Sequence, residues 1–119
     1  MAALGFSTAP LGADCSADRL VGQWSARIEG QTQAWTLTLG PHPEHLGSLR
    51  GALTQGTLHY PVVADLDEGE FTLEESHDGQ RIAATWQGPV SGADCGKSLQ
   101  GHRSVNRQPG QGFWLIRQP

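Results

Sequence analysis

The sequence predicts an all-β fold, a single antiparallel up-and-down barrel of about eight strands, on three observations. From residue 20 onward, short runs that alternate apolar and polar residues are separated by clusters of Gly, Pro, Asn and Asp, the cycle of strand and turn. No run keeps the spacing of a helical face for more than a turn. The 119 residues suffice for one core and are too few for two. The 16 glycines and seven prolines punctuate a chain whose four tryptophans and other apolar residues are spread throughout, which argues against disorder.

Taken in order, residues 20–29 place Trp24, Ala26 and Ile28 on one face. After a turn at Gly30, residues 34–39 do the same with Trp35, Leu37 and Leu39. Pro41, Pro43 and Gly47 mark a loop, and residues 48–54 follow with Leu49 and Leu53 inward and Gly51 between them. Glycine at an inward strand position admits a bulky side chain from across the core, or a bend of the kind barrel corners need. The phrase Ser48-Leu49-Arg50-Gly51 returns as Ser98-Leu99-Gln100-Gly101. Residues 58–66 form a fourth strand, in which Pro61 indicates an edge or a bulge. Residues 70–75 direct Phe71 and Leu73 inward. Ser76-His77-Asp78-Gly79-Gln80 has the chemistry of a hairpin turn and leads into residues 81–88, with Ile82, Ala84 and Trp86 on one face. Residues 98–105 and 112–117 complete the set. A two-sheet sandwich is the other all-β arrangement, but it leaves open edges that closure removes. The division expected is an N-terminal arm over 1–19 and a barrel over 20–119.

Net charge is −4, and the eight Lys and Arg residues form no run or stripe, so nucleic acid is not an expected partner. No stretch approaches the roughly 18 apolar residues of a spanning helix, and membrane insertion is not expected. Residues 1–13 carry no Lys or Arg and are broken by Gly5, Pro10 and Gly12, unlike an intact signal peptide. Cys15 and Cys95 are far apart and lack the C-x-x-C spacing of zinc or redox sites. We read them as a structural disulfide. Closing a loop of about 80 residues stabilises by about 4.5 kcal/mol in the chain-entropy model. The bond implies an oxidising compartment, periplasmic or secreted. Two unrelated buried thiols of a cytosolic protein are the other reading.

Leu20-Val21-Gly22-Gln23-Trp24 opening the first strand, with Arg117 in the last, resembles the calycin superfamily of lipocalins, avidins and related barrels. The resemblance implies that Trp24 closes one barrel end, that Arg117 lies over its ring, and that Gly22, Trp24 and Arg117 are structural. The stretch 47–53 also looks like a strand of avidin-type barrels, though without a recognisable biotin-gripping set. The chain further resembles small periplasmic inhibitors of serralysin-type metallopeptidases, in its eight-stranded barrel, Gly-Gln-Trp start, disulfide and arm. That likeness implies an arm entering a protease cleft.

The residues with chemical potential point away from catalysis. Ser76-His77-Asp78 has the residue types of a hydrolase triad, but neighbours in sequence cannot adopt its geometry. Asp65, Asp67, Glu68, Glu74 and Glu75 read as a solvated acidic face rather than a glycosidase pair. His42-Pro43-Glu44-His45 reads as a solvated loop, and neither metal nor cofactor is expected. Tryptophans carry more. Trp35 and Trp86, with Tyr60 and Phe71, are the candidate ligand-contacting residues, since inward aromatics either line a pocket or fill a small barrel. Phe113 and Trp114 are adjacent, so alternation turns one outward, where a ring marks an oligomer or partner surface. The function expected is a non-enzymatic extracytoplasmic binding module that holds a small, partly apolar ligand or docks a protein. The alternative is a protease inhibitor acting through the arm.

Overall fold

In the computed structural model the described residues are 15–108 and 110–119, so the expectations for residues 1–14 fall outside them. Eight strands follow one another: β1 (Gly22–Ile28), β2 (Trp35–Pro41), β3 (Leu49–Gln55), β4 (Leu58–Asp67), β5 (Glu70–Ser76), β6 (Ile82–Pro89), β7 (Ser98–Ser104) and β8 (Gln111–Arg117). Each pairs antiparallel with the next, and β8 pairs with β1, so the sheet is closed in up-and-down order. Closure leaves no edge strand to template another chain. No described helix is long and apolar enough to cross a membrane.

Alternation decides the core. Trp24, Ala26 and Ile28 from β1, Leu37 and Leu39 from β2, Leu49 and Leu53 from β3, and Val62 and Ala64 from β4 all point inward and are buried. Phe71 and Leu73 from β5, Trp86 from β6, Leu99 from β7, and Phe113 and Leu115 from β8 complete the interior. Four aromatic rings, Trp24, Trp86, Phe71 and Phe113, are at most 1% exposed. Side chains fill the barrel, as an eight-stranded cross-section permits.

The repeated glycine phrase marks close approaches between neighbouring strands. A Cβ on Gly51 would overlap the Thr38 carbonyl of β2, and one on Gly101 would overlap the Gln87 carbonyl of β6. In both places the neighbouring backbone occupies the space a side chain would take. These glycines make room for neighbouring backbone rather than for a bulky side chain from across the core.

Two expectations need correction. Leu20 belongs to a 3-10 turn, Ala17–Leu20, rather than to the first strand: the Val21 amide donates to Asp18 O at 3.3 Å, and Gly22 with φ +137° begins β1. Ile82 does not share the inward face of Ala84 and Trp86. Between Glu75↔Ala84 and Ser76↔Ile82 the register shifts by one residue, a β-bulge that turns Ile82 to the outside, where it is 56% exposed. Of the two positions expected for Pro61, it takes a local edge and not a bulge. It stays in register with Ala52 of β3 and falls one residue beyond the β4–β5 ladder, which starts at Val62↔Glu75. On that side it opposes no strand, so its missing N–H is tolerated.

Candidate functional site

The two barrel ends differ. At the end where β1 begins, the buried Trp24 indole donates to Leu20 O at 3.0 Å, and the Arg117 guanidinium carbon stands 4.6 Å from the ring centroid. The same guanidinium donates to the carbonyls of Val21 (2.9 Å), Arg19 (2.6 Å) and Gly96. A side chain on Gly22 would collide with it. Cys15 and Cys95 are joined with a Cα–Cα distance of 5.5 Å, which fastens the segment before β1 to the 90–97 loop. Gly22, Trp24, Arg117, Cys15 and Cys95 thus form one closing plug.

At the opposite end, Glu75 of β5 is, among the described residues, the buried charged one, 2% exposed. Its expectation as part of a solvated acidic face is corrected: the alternation that sends Phe71 and Leu73 inward sends Glu75 inward too. The carboxylate accepts from Trp86 Nε1 (2.9 Å), Arg103 Nε and Nη2 (both 3.1 Å) and His77 Nε2 (2.7 Å). Burial pushes the Glu75 carboxyl up, but the hydrogen bonds from Arg103, His77 and Trp86 and the Arg103 charge outweigh it and hold the group below its ordinary value. A carboxylate only accepts, so His77 Nε2 carries the shared proton and Nδ1 is its other ring position. Over this group the rings pile up: His77 stacks on Tyr60 at 3.9 Å between centroids, and Trp35 lies 5.5 Å beyond Tyr60. Trp35 Nε1 donates to Gln31 Oε1 at 3.0 Å.

Of the four aromatics expected to touch a ligand, Trp86 and Phe71 are therefore wholly buried, while Trp35 and Tyr60 are half-buried in a stack that covers the end. Ser76, His77 and Asp78 form the β5–β6 turn. Asp78 Oδ1 accepts from the amides of Arg81 (2.9 Å) and Gln80 (2.8 Å), chiefly the bonds that hold its pKa well below the usual carboxylate range. His42 and His45 form another turn, with His42 Nδ1 accepting from the Glu44 and His45 amides at 3.0 and 3.2 Å. Among the described residues no group of three or more His, Cys, Asp or Glu side chains is placed to hold a metal ion.

Concave surface lies outside the barrel, in a hollow of about 470 Å³ beside β3–β5 lined by Arg50, Val63, Glu74 and Ile82 and in two along β8. Phe113 is buried and Trp114 is outward, 44% exposed. A Cβ on Gly112 would touch Trp114 Cη2 at 3.5 Å, so the indole reaches back along its own strand over a residue without a side chain. Two hollows flank it along β8. One, about 400 Å³, runs past Ile116 toward Ser98, Ser91 and Asp94. The other, about 580 Å³, runs past Gly112 toward His102, Gln87 and Glu70. They meet at Pro89, Gln100 and Trp114. Gly88 and Gly101, where β6 and β7 approach closely, help form the second floor. Sequence reasoning reached Trp114 through the Phe-Trp pair. It missed the amides, which only the β7–β8 register (Gln100↔Trp114) brings alongside.

No family model matches this chain, and no curated protein matches it in sequence. The barrel is of the eight-stranded, antiparallel, up-and-down kind, consistent with a calycin-like barrel.

Proposed function

We propose that this chain is a non-enzymatic binding module of an oxidising, extracytoplasmic compartment, and that it binds on its outer wall rather than inside its barrel. The observation that carries the reading is the contrast between a filled interior and a half-exposed indole, Trp114, seated between two hollows. An exposed aromatic beside a concave surface of mixed polar and apolar lining is a frequent mark of a contact site. The Cys15–Cys95 bond supports the compartment. The calycin resemblance contributes a scaffold and leaves the ligand site open.

A library of small neutral and aromatic fragments, titrated into isotopically labelled protein and followed by amide and indole NMR shifts, tests this reading. Shifts should gather on Trp114, Gln100 and Gln87. Fragments that instead perturb Trp86, Phe71 and Leu73 would overturn it in favour of an internal site.

The inhibitor reading draws on a different observation. Residues 1–14 precede a cysteine fastened to the 90–97 loop, so a partner's hold on them would be transmitted to a rigid base. Deleting residues 1–14 should leave the fragment shifts at Trp114 unchanged and abolish inhibition of a serralysin-type metallopeptidase if the arm inhibits.

A further inference from the structure

We infer that the ligand of the outer wall is a neutral oligosaccharide lying along β8 across Trp114. The inference rests on the reading that this wall is the binding surface. A sugar ring has two chemical characters, an apolar and slightly electropositive C–H face and a rim of hydroxyls. An indole face is negative and suits the first. Side-chain amides both donate and accept, and suit the second. Trp114 supplies the aromatic surface, and Gln100, its direct partner across the β7–β8 ladder, supplies an amide beside it. Gln87 stands on the far side of the second hollow.

Charge narrows the choice. Among the described residues the two hollows are lined by Glu70 and Asp94 and by neither lysine nor arginine, so an anionic ligand is repelled while hydroxyl donors find acceptors at both ends. Arg27, opposite Trp114 on β1, lies outside the lining. An extended peptide would gain affinity by adding a strand, but β8 is paired along this surface on both sides. The β6–β7 ladder pairs only Thr85–Gln87 with His102–Ser104, and beyond it Gly88 and Gly101 bring the two backbones too close to admit a further strand. The hollows continue on either side of Trp114, which fits a chain of several sugar units better than one.

The test titrates cello-, chito-, malto- and laminari-hexasaccharides separately into the labelled full chain and follows the Trp114 indole signal. At least one should shift that signal together with the Gln100 and Gln87 side-chain amides. Trp114→Ala, an outward substitution that leaves the core intact, should raise its Kd at least about tenfold. Trp35→Ala at the far end should leave the Kd unchanged. If none of the four moves the Trp114 signal while fragments do, the saccharide inference fails and the binding-surface reading stands. If neither moves it, both fail. Shifts confined to the Trp35 and Tyr60 stack overturn the inference as well.

Discussion

Replacing Glu75 with Gln tests whether the buried ion pair closes the open end of the barrel. The native carboxylate accepts four hydrogen bonds, two of them from Arg103, whose side chain is only 12% exposed. Glutamine keeps the volume and one acceptor, but it sets an NH2 group against donors and leaves the guanidinium without its counter-charge. Breaking a buried pair from one side costs about 3–5 kcal/mol. The lower end applies, because Arg103 retains some solvent and contacts the Trp86 ring at 5.7 Å. With a urea slope of about 1.5 kcal/mol/M, the unfolding midpoint should fall by about 2 M. Replacing both partners with apolar residues, Glu75→Leu with Arg103→Met, should recover most of that loss, because no unpaired charge is left behind. Acid provides an independent check. The folded-state pKa is lowered, so this contribution is present above the ordinary glutamate value of 4.5 and is lost as pH falls through the folded value. The stability gap between wild type and Glu75→Gln should therefore narrow as the solution is acidified below that value. A midpoint change equivalent to less than about 1 kcal/mol, or a double variant as unstable as the single one, would refute the reasoning.

The remaining predictions concern the scaffold. Replacing Cys15 and Cys95 together with Ala should lower unfolding stability by up to about 4.5 kcal/mol while circular dichroism keeps its strand signature, since the bond acts mainly on the unfolded chain. Gly51→Ala should cost about 1–3 kcal/mol because its Cβ meets the Thr38 backbone. Gly40→Ala, whose Cβ would sit 3.8 Å from Arg50 O, should be close to neutral in the same urea series. The bulge makes Ile82→Ser nearly silent, within about 0.5 kcal/mol. Leu73→Ala, at a fully buried site on the partner strand, should cost about 2–5 kcal/mol. Equal losses for Ile82 and Leu73 would place Ile82 back inside.

The strands were legible because their signals are local: alternation with period two, and turns built from Gly, Pro and Asp. The bulge was not, since an inserted residue reverses a face without any sequence mark of its own, and Ile82 looked like its neighbours Ala84 and Trp86. Glu75 is a different kind of miss. Parity from Phe71 and Leu73 already assigned it inward, and parity from Leu99 and Gly101 assigned Arg103 inward on β7. Residue type overrode parity in the reading, although an acid and a base forced to the same side satisfy one another. Trp114 is the mirror case, an aromatic forced outward by its neighbour Phe113. The two conflicts resolve differently. Glu75 finds its partners within the barrel and so carries stability. Trp114 lies over Gly112, a residue without a side chain, and remains 44% exposed between two hollows of mixed polar and apolar lining. A mismatch that the chain itself does not satisfy is the one a ligand can satisfy, and for that reason the search for function belongs on β8 rather than in the core.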